Sequence, residues 1–421
     1  MRILFLAQCY APENVSAAIL ITELTTDLVK RGHQVSIVTG APNYPYGRVF
    51  KGYRNRLYQV EMLDGVRVIR TWSYISPSKN FWPRIFHYGT YSATAFYGGL
   101  LAGRPDVLIS YSPPLPLGLS AWLLSRLWHI PWVFQLENLY PDAAISLGVI
   151  SNKKVISFFL GMEKFLYRNS HHISVISEDF KRTLIAKKVP RSKIEVIPIW
   201  ADPDVIRPLP KKNAFRHDHG LNNKFVVVYA DNIGLISCLE DVLCAAEILR
   251  TKTQIQFVIV GDGVKKEDLE TEKRNKGLTN VTFLPHQPRE IFPEVLAAAD
   301  VSLVTLNAGA ALSSMPSAIF DMMASARPIL AVAPLESELA HIVEEAGCGW
   351  TVPPDSPVEL AVAVVQLFTQ GSEFNKMGQN GRAYLEKHYS RNHCVNAYEK
   401  MLLALCNHSR WEPADDGGIL L

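Results

Sequence analysis

Short apolar runs alternating with helical patterns recur along this chain, and that alternation constrains its fold more than any other feature. Residues 3–7, 35–39, 67–71, 107–111, 132–136 and 172–176 each read as a strand, most of them rich in Val, Ile, Leu and aromatic residues. Residues 17–30 carry helical spacing and stop at Arg31-Gly32, where glycine can end a helix in a left-handed turn. Strands without polar alternation are buried on both faces, and helices between them require a parallel sheet. The second half repeats the scheme, with strands at 225–229, 256–260, 281–284, 301–306, 329–332 and 349–352. Helical patterns there cover 239–250, 290–298, 316–325 and 358–368.

A chain of 421 residues exceeds one ordinary core. The fold class expected is therefore α/β, two doubly wound Rossmann-like domains facing a central cleft. The boundaries read as 1–200 for the first domain and 201–390 for the second, joined by a proline-dense, stiff linker that includes Pro198, Pro203, Pro208 and Pro210. Residues 391–409 form a last helix that packs back on the first domain, and residues 410–421 read as a disordered tail.

The net charge is +3 with Lys and Arg scattered, so no nucleic acid partner is expected. Six cysteines show no CxxC spacing, which gives no metal site and suits reduced thiols in a cytoplasmic protein. Residues 115–134 are the most apolar long stretch. Arg126, His129, Pro116 and Pro131 interrupt it, so it reads as a buried helix feeding a strand rather than a bilayer span.

In doubly wound sheets ligands bind beyond the carboxyl ends of the strands. The loops there hold Tyr10-Ala11-Pro12-Glu13, Pro42-Asn43-Tyr44-Pro45, Ser112-Pro113-Pro114 and Tyr140-Pro141-Asp142 in the first half. The second half supplies Asn232-Ile233-Gly234, Gly261-Asp262-Gly263 and Pro316-Ser317, followed by Met323-Ala324 and Arg327-Pro328. In order and spacing these motifs resemble retaining GT-B glycosyltransferases of family 4 type, the branch that builds bacterial capsule, O-antigen and colanic acid. The resemblance runs from about residue 1 to about residue 405. It implies transfer of a hexosyl or N-acetylhexosaminyl group from a UDP- or GDP-linked sugar, held mainly by the second domain. The acceptor, a glycan or lipid-linked glycan, is held mainly by the first. It implies no required cofactor or metal.

Such a transfer loads charge on the departing diphosphate, which Lys, Arg, backbone amides or helix N-termini must meet. The donor-binding residues expected are Asn232, Gly234, Ser237, Gly261, Lys265, Ser314, Pro316, Ser317 and Asp321. Asp321 stands where the family has a Glu on ribose or sugar hydroxyls. The acceptor rim expected is Glu13, Asn43, Tyr44, Asn138 and Tyr140. Glu137 or Asp142 would orient or deprotonate the acceptor hydroxyl, and with Asp321 they form the expected catalytic set. His33 reads as a structural cap of the preceding helix.

The chain also departs from the family. Asn232 and Ser237 replace an Arg and a Lys, Ala318 a Lys, Asp231 and Cys238 glycines, and Asn138 an Asp. Removing one anion-stabilising donor costs roughly 3 kcal/mol. Lys265, Lys266 and Arg327 are candidate replacements. Two other readings stay open: a GT-B sugar-nucleotide epimerase or hydrolase, and a degenerate glycan-binding subunit. Finally, residues 79–104 and 153–168 mix aromatics with cations, which suits either core-facing helices or peripheral contact with the inner face of the inner membrane.

Overall fold

The computed structural model describes residues 1–44, 46–78, 81–370 and 374–408; the expected tail at 410–421 lies outside them. The first domain has strands β1 (Arg2–Leu6), β2 (Gln34–Gly40), β3 (Tyr58–Leu63), β4 (Val66–Thr71), β5 (Val107–Ser112), β6 (Trp132–Leu136), β7 (His172–Val175) and β8 (Ile194–Val196). Its helices are α1 (Ser16–Lys30), α2 (Phe81–Ala102), α3 (Leu117–Trp128), α4 (Asp142–Ser146), α5 (Lys153–Asn169) and α6 (Glu178–Ala186). After α7 (Ala214–Asp218) the second domain has β9 (Phe225–Ala230), α8 (Leu239–Ile248), β10 (Ile255–Val260), α9 (Lys266–Asn275), β11 (Val281–Leu284), α10 (Phe292–Ala297) and β12 (Val301–Thr305). It continues with α11 (Ala318–Ala324), β13 (Ile329–Val332), α12 (Glu338–Glu345), β14 (Gly349–Val352), α13 (Pro357–Gln370) and α14 (Asn375–His388), and the chain closes with α15 (Arg391–His408).

The strand orders are β3-β4-β2-β1-β5-β6-β7-β8 and β11-β10-β9-β12-β13-β14. All pairs are parallel except β3 with β4. In each sheet the order reverses beside the first strand, at β1/β5 and at β9/β12, the switch point where doubly wound folds open a ligand crevice. Every residue of β5 and of β10 is buried, as a strand covered by helices on both faces must be.

Each sheet separates two apolar layers. Tyr91, Leu124, Phe134 and Leu166 pack on one face of the first sheet, and Phe5, Leu24, Ile37 and Ile109 on the other. The latter layer also takes Val395, Tyr398 and Leu402 of α15, so the last helix closes the core of the first domain. Arg391 fixes its start, pairing with Asp27 at 2.7 Å and Asp202 at 3.0 Å. His33 caps α1 through its backbone, whose N–H donates to the Leu28 carbonyl at 3.1 Å, and its Nε2 also meets Glu399 of α15 at 2.7 Å and anchors that helix. The stretch 115–134 resolves into α3 and β6, and among the described residues no helix is long and apolar enough to cross a membrane.

The two domains touch at several points. Ile199 in the linker and Met315 pack against apolar layers of both. The first turns of α6 and α12 cap one another: the Asp179 amide donates to Glu338 Oε2 (2.9 Å), and the Glu338 amide to Asp179 Oδ2 (2.8 Å). Each carboxylate thereby satisfies an amide that helix geometry leaves without a partner.

Candidate functional site

The strand-end loops of both sheets meet across a cleft. Ser314 Oγ lies 3.3 Å from Asn138 Oδ1, and the Leu139 amide donates to the Ser313 carbonyl at 3.3 Å. Residues expected on opposite sides, Asn138 for acceptor and Ser314 for donor, therefore adjoin. A second bridge joins Arg289 to Glu23 of α1 at 2.8 Å, and the Trp200 indole also donates to Glu23 at 3.0 Å.

Asp321 sits beside that bridge. Its partly exposed carboxylate has no hydrogen-bond partner among the described residues. Burial pushes its pKa up to about 7, with the Glu23 charge adding to the rise, Arg289 opposing it and Asp231 adding to it. Asp231 follows β9 directly, and burial raises it to about 6. Glu137, following β6, is also raised to about 7 by burial alone. Three carboxylates thus border the cleft without a cation of their own. Shifted titratable groups in a cleft are candidates for binding or chemistry.

The loops carrying them are built tightly. Ile233 N–H donates to Asp262 O at 2.9 Å and Lys265 N–H to Ile233 O at 3.1 Å, fusing the loops after β9 and β10. A Cβ on Gly261 would stand 2.1 Å from the Asp231 carbonyl oxygen, and one on Gly263 would stand 2.1 Å from that of Ile233. Loop-on-loop packing therefore accounts for Gly261. Ser237 is buried with its hydroxyl donating to Gly234 O at 2.8 Å, which closes the turn. Asn232 is exposed and accepts from the Tyr229 hydroxyl through its carbonyl at 2.8 Å.

Several expectations change. Lys265 pairs with Glu240 at 2.9 Å, Lys266 donates to the Gly261 carbonyl at 3.0 Å, and Arg327 is spent on the carbonyls of Ala297 and Leu209. All three candidate replacement cations are therefore engaged with the protein. Asp142 is held in an ion pair with Lys187 at 2.6 Å. Glu13 is buried and saturated. Its carboxylate accepts from the amides of Asn43 (2.9 Å), Tyr44 (2.8 Å) and Tyr10 (3.2 Å), so it shapes the Asn43–Tyr44 loop. Burial raises the Glu13 pKa while those amides and Arg70 oppose the rise. The helix after Pro316-Ser317 begins only at Ala318, has seven residues and lacks a side-chain cap at Ser317. Its dipole is correspondingly weak, since fewer peptide units add to it.

Of the expected acceptor rim, Tyr44 is exposed, Tyr140 is partly buried, and the Asn43 side chain donates to Ala41 O at 2.9 Å. The sequence reading passed over Arg84. This exposed arginine of α2 has no hydrogen bond or ion pair among the described residues, and it shares an electrostatic neighbourhood with Tyr88, Tyr140 and Tyr44. Tyr44 also senses Asp262 of the opposite domain. Nothing in local sequence distinguishes Arg84, because its setting comes from the packing of α2 against the loops. Among the described residues no cluster of His, Cys, Asp or Glu is arranged to hold a metal ion.

Two facing Rossmann-like domains with strand-end loops converging on one cleft define the GT-B architecture. Known proteins agree over nearly the whole chain. The glycosyl transferase 4-like domain matches residues 17–200, and the glycosyl transferases group 1 domain matches residues 211–384. WcaI of Escherichia coli strain K12, provisionally named a colanic acid biosynthesis glycosyl transferase, is 29% identical over 384 residues, covering 87% of this chain and 91% of its own. Sucrose-phosphate synthase of Thermosynechococcus elongatus superposes with a TM-score of 0.76 at 16% identity, covering 97% of this chain and 100% of its own. HepE of Anabaena, in complex with UDP and glucose, gives 0.72 at 16% identity, covering 96% and 100%. Together these glycosyltransferase domains account for residues 17–384, and the chain is a sugar-transferring enzyme of GT-B fold.

Proposed function

We propose that this enzyme takes a hexosyl or N-acetylhexosaminyl group from a UDP- or GDP-linked sugar and passes it, with retention and without a metal, to a lipid-linked glycan of a bacterial surface polysaccharide. The observation that carries the donor assignment is the unpartnered carboxylate of Asp321 on the second-domain side of the cleft. A carboxylate there accepts two hydroxyl hydrogen bonds from ribose or sugar, and the ligand supplies what the protein leaves unmade. The name of WcaI supports the polysaccharide setting, and the UDP bound by HepE supports a uridine nucleotide.

Charge on the leaving diphosphate is met chiefly by Arg84 from the first domain and by the amides of Ser317 and Ala318, which have no acceptor among the described residues. Glu137, poised near neutrality, orients the acceptor hydroxyl or takes its proton. Asn138 and Ser314, in contact across the cleft, bring acceptor and donor together. Work on a lipid-linked acceptor places the enzyme at the inner face of the membrane.

The test is a thermal-shift screen of UDP- and GDP-sugars, because a ligand that binds only the folded state raises its melting temperature. A shift with one nucleotide sugar that disappears in Asp321→Ala is expected. An equal shift in wild type and variant removes Asp321 from the donor site, and no shift with any donor removes the reading.

A further inference from the structure

Four strands end the two sheets, β3 and β8 in the first, β11 and β14 in the second. An edge strand offers a row of unpaired N–H and C=O groups, and proteins blunt such edges by keeping them short or charged. Three of the four are short, with three residues in β8 and four each in β11 and β14, none of them exposed. β3 instead runs for six residues and contains neither Pro nor Lys. Among the described residues its backbone pairs with β4 alone. Its side chains divide by parity. Leu63 joins the apolar layer that holds Leu24 of α1, and Glu61 pairs with Arg70. Tyr58, Val60 and Met62 point the other way and are 39%, 41% and 61% exposed. An antiparallel strand facing only water would carry polar residues there.

The order of residues along the edge points to its partner. Counted outward from Val60, the chain sets Gln59 against Glu61, Tyr58 against Met62 and, just beyond the strand, Arg56 against Asp64. A two-fold axis through Val60, perpendicular to the sheet, lays a second β3 antiparallel to the first with each of these pairs opposed. Val60 then meets its own counterpart, Tyr58 meets Met62 twice, and Arg56 meets Asp64 at both ends. Arg56 and Asp64 are exposed, and neither has a hydrogen bond or ion pair among the described residues. The hairpin turn holds Asp64 at the strand's end: Asp64 and Gly65 have φ of 48° and 82°, as a two-residue turn between the paired Leu63 and Val66 requires. The neighbouring registers that keep the apolar side chains on one face centre on Glu61 or Gln59. The first opposes two carboxylates and sets Tyr58 against Asp64; the second leaves Arg56 opposite Met62. A foreign strand could use the same edge, but it would draw nothing from this symmetry.

We propose that two copies of this chain join through β3 in the register centred on Val60, so that their eight-stranded sheets become one. The pairing uses none of the cleft residues and stands independently of the transferase reading.

The experiment is sedimentation velocity of the full chain at micromolar concentration, joined to oxidative cross-linking. A dimer is expected. Val60→Cys should link the two copies by a disulfide, because directly opposed Cβ atoms lie about 4.5–5.5 Å apart and a bridge closes at about 3.5–4.5 Å. Met62→Cys, which faces Tyr58, should not, and neither should wild type, whose six cysteines all lie off β3. Val60→Lys opposes two ammonium groups and should weaken the dimer by about tenfold or more. Arg56→Asp acts at both ends and should also weaken it about tenfold, while Arg56→Asp/Asp64→Arg restores the pairs with their signs exchanged. Cooperative unfolding of each variant is the control on its fold; the charge exchange lies outside the strand and decides the matter if Val60→Lys does not fold. A chain that stays monomeric overturns the proposal. So does a dimer that Val60→Lys leaves intact, one that Val60→Cys does not cross-link, or a folded charge-exchanged variant that fails to recover it.

Discussion

Glu13 of the first domain and Asp321 of the second are both acids that the sequence set beside the cleft, and the protein treats them in opposite ways. Glu13 is buried with three backbone amides aimed at its oxygens. Asp321 has none, and Glu23 and Asp231 nearby make its charge still less welcome. The same contrast recurs within one loop, where Asp142 pairs with Lys187 while the Glu137 side chain has no hydrogen-bond partner among the described residues. A carboxylate whose bonds are made belongs to the architecture. One left unsatisfied where charge is costly destabilises the empty protein, and a ligand is what offsets the cost.

The largest effect should come from the saturated member. Glu13→Ala orphans three partly or fully buried amides, each costing about 1–3 kcal/mol. Denaturant unfolding should show a loss on the order of 4 kcal/mol, with the Asn43–Tyr44 loop released. A loss under about 1 kcal/mol would mean that water replaces the carboxylate and that Glu13 does not organise the Asn43–Tyr44 loop. Next comes Asp321→Ala, which removes two hydrogen bonds to a charged acceptor. Donor affinity, measured by calorimetry, should fall about a hundredfold, while stability without ligand is kept or improved.

The contrast has a pH signature. The folded pKa of Asp321 is raised from 3.8 to about 7. Between these values the folded protein holds a proton that the unfolded chain has released, so stability falls as pH rises through this window and stays low above it. Asp321→Asn cannot ionise. It should therefore melt a few degrees above wild type at pH 8, on the order of 1–2 kcal/mol once solvent screening is allowed for, and the gap should close toward pH 4. A gap that does not change with pH would show that ionisation of Asp321 is not the source of the strain.

How much of this was legible in sequence depends on whether the cause was local. Strands such as β5 and β10 announce themselves because burial on both faces leaves no polar alternation. The edge strand β3 escaped notice: it alternates in burial, and its outward Tyr58, Val60 and Met62 are themselves apolar. Pro316 reads as the first turn of a helix, yet the helix begins two residues later. The loops that build the site follow from strand direction alone. Their charge pairing does not, because Arg289 finds Glu23 across 266 residues and Lys265 finds Glu240 across 25. Whether α5 faced core or solvent was likewise open, since its core stripe is only Glu163, Leu166 and Tyr167.

The smallest predicted effect sharpens the comparison from the cation side. By sequence Lys265 was a candidate for the missing phosphate charge, following the tight Gly261-Asp262-Gly263 turn. In the structure it pairs with Glu240, and both side chains are more than a third exposed. Pairs of that kind contribute about 0–1 kcal/mol, screened further by salt. Lys265→Gln should therefore shift stability by less than about 0.5 kcal/mol and leave donor affinity within about twofold of wild type. Arg84→Gln, measured beside it, should weaken the binding of the nucleoside diphosphate by tenfold or more, since a charge-assisted hydrogen bond is worth about 1.5–3 kcal/mol. If the two variants exchange these outcomes, the diphosphate is held by the second domain's own lysine after it leaves Glu240. The division of charge between the domains would then be the reverse of the one drawn from their pairing.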